Sequence, residues 1–124
     1  EFPALMRADK VQKKAAKVGF DWDSVDGAFD KVSEELGELK EAVTMGVVEN
    51  ANEELGDLLF SVVNVSRFIK VDSEEALTNA TDKFIDRFSK VEKMAEDRGL
   101  NMKETDLAEL DKLWDLAKQV SKKD

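Results

Sequence analysis

Apolar positions along this chain recur at spacings of three and four residues, the period of an amphipathic helix, in five successive segments. The first covers roughly residues 4–17, with Leu5, Val11, Ala15 and Val18 as inward positions and Gly19 as its stop. A short aromatic link, Phe20-Asp21-Trp22-Asp23, follows, and either Asp23 or Ser24 can cap the second helix. That helix runs to about Thr44 on a stripe of Val32, Leu36, Leu39 and Val43, with Gly46 in the turn beyond it. The third, from about Glu49 to Ile69, carries Leu55, Leu58, Leu59, Phe60, Val62, Val63, Val65, Phe68 and Ile69. A helix apolar on most sides is expected to be central and buried. The fourth, about 73–98, opens on a capping box from Asp72 to Glu75 and ends before Gly99. Its core stripe is Leu77, Ala80, Phe84, Phe88, Val91 and Ala95. The last, about 106–121, opens with Asp106 and Glu109 and presents Leu107, Leu110, Leu113, Trp114 and Ala117, leaving Lys122 and Lys123 as a frayed tail. No linker interrupts the pattern, which predicts one all-α domain, residues 1–124, built as a bundle of about five helices around a central antiparallel hairpin.

Composition supports that picture and narrows the chemistry. Pro3 is the one proline, and the chain is 42% hydrophobic and 38% charged, a mixture rich in helix formers. With no cysteine there is no disulfide, thiolate ligand or thiol nucleophile, which fits the cytoplasm. With no histidine, most zinc sites, imidazole-activated nucleophiles and the Glu-x-x-His pairs of di-iron bundles are excluded. Any metal would take oxygen ligands, which favours Mg²⁺ or Mn²⁺. The net charge of −9 argues against a nucleic-acid duplex or an anionic membrane as the main partner. No apolar stretch approaches a membrane span, and Glu1-Phe2-Pro3 does not read as a secretory leader.

One short pattern occurs twice: Glu34-Glu35-Leu36-Gly37-Glu38-Leu39 and Glu53-Glu54-Leu55-Gly56-Asp57-Leu58. Each copy sets two acids three residues apart, on one helix face. Each also places a glycine inside a helix, at a cost of about 1 kcal/mol relative to alanine, which suggests a close backbone approach there. Glu38 and Glu54 are each eight residues from Gly46, and Glu35 and Asp57 each eleven. If the chain reverses at Gly46, the acids fall at two matched heights, about 4.5 Å apart at 1.5 Å per residue. Helix axes roughly 8–10 Å apart let such side chains converge. Like charges that close must either protonate or enclose a cation. A divalent cation would also turn this part of an acidic protein into a phosphate site. A single such pair of acids is ordinarily a solvated face; two copies in matched register, one on an apolar helix, favour a metal site.

With these residues in place, the sequence closely resembles the MazG family of nucleoside triphosphate pyrophosphohydrolases. Its EExxE and later ExxD are matched by Glu34, Glu35, Glu38, Glu54 and Asp57. The resemblance extends over Val11 to Trp22, over Asp57-Leu58-Leu59-Phe60 with Val63-Asn64 and Ser66-Arg67, and over Lys83-Phe84 with Arg87-Phe88. It implies an α-helical fold, Mg²⁺ held by Glu35, Glu38, Glu54 and Asp57, a homodimer or higher oligomer, and cleavage of a nucleoside triphosphate between the α- and β-phosphorus. Related all-α dUTPases and phosphoribosyl-ATP pyrophosphatases share that cleavage and stand as alternatives; so does an inactive helical interaction module. The long match favours the type found as one half of longer two-copy proteins. Glu34 or Glu53 would accept the proton of the attacking water, with Glu34 preferred, and an exposed surface glutamate is the alternative for each. The resemblance also points to Lys31, Lys83 and Arg87 as phosphate-binding cations, against ordinary surface ion pairs. Trp114 would stack a base or fill the core. Asn64, on one stripe with Asp57, would bind ligand or orient an acid. Lys13, Lys14 and Lys17 either line the site or coat the first helix, and Phe20 and Trp22 are expected in the core rather than against a base.

Overall fold

The computed structural model describes residues 2–123, with side chains as far as Val120. The elements are α1 (Ala4–Lys17), α2 (Val25–Met45), α3 (Val48–Phe68), α4 (Ser73–Asp97), a single 3-10 turn (Met102–Glu104) and α5 (Leu107–Lys123). No strand occurs among the described residues, so the all-α expectation holds. Among the described residues, no helix is long and apolar enough to cross a membrane.

Local chemistry accounts for most boundaries. Gly19, at φ 89°, takes the chain out of α1 while the Phe20 N–H returns to the Ala15 carbonyl at 3.1 Å. Of the two candidate caps for α2, Ser24 acts: its Oγ accepts from the Asp26 N–H at 3.3 Å. Gly46, at φ 76°, closes α2 with its N–H directed back to the Ala42 and Val43 carbonyls. Only Gly46 and Val47 separate α2 from α3, and so short a link makes the two helices antiparallel neighbours. Asp72 and Asp106 cap α4 and α5, accepting from the Glu75 N–H at 3.1 Å and the Glu109 N–H at 2.9 Å.

The chain forms two compact units, Glu1–Ala76 and Leu77–Asp124. In the first, α3 packs along α2 and also against α1. Its buried residues are small or polar: Ala28, Ala42 and Val63 beside Gln12, Glu35 and Ser61. In the second, Val91, Ala95, Leu113 and Ala117 form the buried cluster, with Met94, Leu100, Met102, Leu110 and Trp114 packed on it.

Several expected core positions are not buried. On α3, Val63 is buried, whereas Leu55, Leu59, Phe60, Val62 and Ile69 are exposed. Within its unit α3 has α1 and α2 beside it, and two neighbours cannot cover an all-round apolar helix. Val11, Val18, Leu36, Val43, Leu77, Ala80, Phe84, Phe88 and Leu107 are also exposed. On α1 the inward stripe is Leu5, Ala8, Gln12 and Ala15, and Val11 and Val18 fall at its exposed margin, Val11 beside the cavity that Glu35 and Asp57 line. The close backbone approach expected at Gly37 and Gly56 is absent: a Cβ built on either would meet nothing within 4 Å. Both glycines are exposed. The side chains of Lys122 and Lys123, expected to fray, lie outside the described residues.

Candidate active site

The reversal at Gly46-Val47 brings the two acid repeats side by side. One carboxylate oxygen from each of Glu35, Glu38 and Glu54 lies within 4.8 Å of the others. Burial is graded across the group: Glu35 is buried, Glu54 half-buried and Glu38 exposed. Asp57 lies outside this group of three and lines the adjoining cavity together with Glu35.

Charge compensation inside the group is incomplete. Lys31 Nζ lies 3.1 Å from Glu35 Oε1 and 3.4 Å from Glu34 Oε1, so it serves one oxygen of the buried acid. Glu35 and then Glu34 hold the Lys31 ammonium above its ordinary pKa. Glu35 Oε2 and Glu54 Oε2 are buried and have no hydrogen-bond partner among the described residues. Repulsion from Glu35, with the close approach of Glu54, pushes the Glu38 carboxyl above the usual carboxylate value. A buried, unpartnered carboxylate oxygen is costly, and a cation relieves both the desolvation and the repulsion. Three convergent carboxylates with spare oxygens fit a hard divalent cation such as Mg²⁺. Glu34 is exposed and turned toward Lys31; Glu53 is exposed.

Beside the acids is a cavity of about 730 Å³, bounded by α1, the Phe20–Trp22 link, α2 and α3. Lys31, Glu35 and Asp57 line it, and so do Gln12, Asn64 and Arg67. Phe20 and Trp22 border it as well; both are exposed, which corrects the expectation that they fill the core. Their link is pinned on the surface instead. Arg67 Nη1 and Nη2 donate to Asp21 Oδ2 and Oδ1 at 2.9 and 2.6 Å, and Nη2 also reaches Asn64 Oδ1 at 2.9 Å. Such a bidentate pair sets both position and orientation. Gly27 leaves room for the indole, since a Cβ there would come 3.0 Å from the Trp22 ring.

Arg67, aided by the Trp22 N–H, holds the Asp21 carboxyl below its ordinary value. A depressed folded-state pKa stabilises the fold above the unfolded value, and that contribution disappears as pH falls through the folded one. Asp21→Asn is therefore expected to destabilise the protein by about 1 kcal/mol or less at neutral pH, the pair being partly exposed. The difference from wild type should shrink as pH falls below 3.8, which thermal melts extended from pH 7 to pH 2 would reveal.

Sequence reasoning missed Gln12 and the Asp21–Arg67 pair. Gln12 was legible in principle: reading Leu5, Ala8, Gln12 and Ala15 as one stripe places it inward. The ion pair joins residues 46 apart and left no local signal. Lys13, Lys14 and Lys17 coat α1; all are exposed, and Lys13 pairs with Asp9 at 2.9 Å. In the second unit, Lys83 and Arg87 lie one turn apart on α4. Lys83 is exposed, and Arg87 is half-buried with Nε unpartnered among the described residues. Trp114 packs on the buried cluster of that unit, its ring 5.2 Å from that of Phe84.

Comparison with known proteins adds an independent line. Residues 25–92, which include both acid repeats, match the family profile described as the MazG nucleotide pyrophosphohydrolase domain. The chain is 49% identical over 116 residues to a protein of Thermotoga maritima named nucleoside triphosphate pyrophosphohydrolase/pyrophosphatase MazG. It is 44% identical over 119 residues to a nucleoside triphosphate pyrophosphohydrolase of Escherichia coli K12. Each match covers 94% of this chain but only 44% and 45% of the relative, so the chain spans a little under half their length. A 74-residue stretch is 48% identical to an uncharacterized Bacillus subtilis protein, YabN, covering 60% of this chain and 15% of that one.

Proposed function

The chain belongs to the MazG nucleotide pyrophosphohydrolase family, and we propose that it hydrolyses nucleoside triphosphates between the α- and β-phosphorus, releasing a nucleoside monophosphate and pyrophosphate. The observation that carries this reading is the convergence of Glu35, Glu38 and Glu54 with two buried, unpartnered oxygens. These three, with Asp57, would hold Mg²⁺, and Mn²⁺ in its place. When bound, the metal supplies electrostatic stabilisation of phosphate charge and a more acidic water. Glu34 accepts a proton from the attacking water, and Lys31 pairs with both Glu34 and Glu35. Asn64 holds ligand beside Asp57; the family resemblance assigns phosphate binding to Lys83 and Arg87, and Trp114 serves the core of its own unit. The cysteine-free composition supports a cytoplasmic setting.

The test is pyrophosphate release from a panel of ribo- and deoxynucleoside triphosphates with Mg²⁺, run in ¹⁸O-water. Label is expected in the monophosphate and not in pyrophosphate. Label in pyrophosphate, or orthophosphate as first product, would overturn the assigned bond. One strongly preferred substrate would turn the reading toward the dUTPase or phosphoribosyl-ATP branch. No release from any triphosphate, with either metal, would leave a helical interaction module.

The same reading includes a homodimer. Leu55, Leu59 and Val62, at i, i+4 and i+7 on α3, form an exposed apolar stripe, and Leu36 and Val43 add a second on α2. Sedimentation at micromolar concentration should give a dimer, and Leu59→Asp should shift it to monomer. A fully active wild-type monomer would end this proposal.

A further inference from the structure

The buried polar residues of the first unit are Gln12, Glu35 and Ser61. Ser61 is satisfied, its Oγ donating to the Leu58 carbonyl at 2.7 Å. Glu35 belongs to the acid group already described. Gln12 is different: it is 5% exposed, its Nε2 donates to the Phe60 carbonyl at 2.9 Å, and its Oε1 is buried without a partner among the described residues. Only an N–H can meet a carbonyl, so the amide orientation is chemically forced and the unpaired end is the acceptor. A buried acceptor left open costs about 1–3 kcal/mol. Gln12 also lines the cavity that Lys31, Glu35 and Asp57 line. Asn64 lies in the same wall, and because its Oδ1 accepts from Arg67, its NH₂ is the end left for a ligand acceptor.

We propose that Gln12 is a specificity-determining residue: the cavity seats the nucleobase of the substrate, and Gln12 Oε1 accepts a hydrogen bond from an N–H on the base edge. This rests on the nucleotide reading above and deepens it. A cavity of about 730 Å³, bordered by the exposed rings of Phe20 and Trp22, suits a planar aromatic group. The acids beside it give the phosphate end of the same molecule a place. On the Watson–Crick edge, adenine, cytosine, guanine and uracil each present an N–H beside an acceptor. The Gln12–Asn64 pair of amides therefore admits each of them and discriminates against bases that lack the N–H.

The contact can be read with and without turnover. Calorimetry on the intact protein would compare adenosine 5′-monophosphate with purine riboside 5′-monophosphate, which lacks the 6-amino group, and uridine 5′-monophosphate with its N3-methyl derivative. Each N–H-bearing ligand is expected to bind about tenfold more tightly than its counterpart. The same ratio should appear in kcat/KM for the triphosphates, carried by KM because the base is remote from the reacting phosphorus. Gln12→Leu should abolish the ratio. Equal binding of the paired ligands by the wild-type protein overturns the assignment, and this arm does not depend on the variant folding. Discrimination in binding without hydrolysis of any triphosphate would uphold Gln12 and defeat the functional reading, so the two failures are distinguishable.

Discussion

Glu38→Gln, Glu35→Gln and Glu54→Gln are each expected to lower kcat/KM by at least about a hundredfold while leaving the helical spectrum intact, since each removes one charged oxygen from the proposed metal group. The amide keeps the shape of the carboxyl and its space in the α2–α3 contact, so a loss reports on charge rather than packing. The three should not be equivalent. Glu35 is buried and tied to Lys31, and its neutralisation leaves an ammonium without its nearest partner. Glu38 is exposed, so raised Mg²⁺ should recover part of the activity of its variant. Asp57 lies outside the group of three, and Asp57→Asn is expected to cost less than Glu35→Gln. Mg²⁺ titrations of initial rate would rank the four. Wild-type kinetics in Glu38→Gln at ordinary Mg²⁺ would remove it from the ligand set.

In EDTA the wild-type protein is expected to lose stability as pH rises above the ordinary glutamate value of 4.5. The Glu38 carboxyl is raised in the folded state by Glu35 and by Glu54. Below the unfolded value it is protonated in both states and its contribution is complete. As pH rises through the raised folded value it must ionise against its neighbours, and that contribution is lost. Thermal midpoints measured in EDTA between pH 4 and pH 7 should therefore fall in wild type and fall less in Glu38→Gln. Mg²⁺ at a hundred times its Kd should restore about 2.7 kcal/mol at pH 7. A wild-type slope matched by Glu38→Gln would mean that the repulsion is carried elsewhere. The Asp21 effect runs the opposite way and in a lower window, below the usual aspartate value of 3.8, so the two can be separated.

What the sequence determined by itself is what short-range chemistry controls. Helix periodicity, the Ser24, Asp72 and Asp106 caps and the glycines after α1, α2 and α4 depend on neighbours within one turn, and their positions were legible. The equal spacing of the acids about Gly46 was legible too, because a two-residue link leaves an antiparallel hairpin one register, and Glu35, Glu38 and Glu54 meet accordingly. Tertiary structure alone decided which face of α1 turns inward, because that depends on where α3 lies and not on which α1 residues are apolar. It thereby buried Gln12 and exposed Val11 and Val18. It placed Arg67 on Asp21 across 46 residues, and this clamp holds Phe20 and Trp22 at the cavity instead of in a core. It also graded the three acids from buried to exposed, and so determined which oxygens water cannot satisfy. Burial is a property of the surface that a neighbouring helix covers, and a residue's own sequence neighbours do not carry that information.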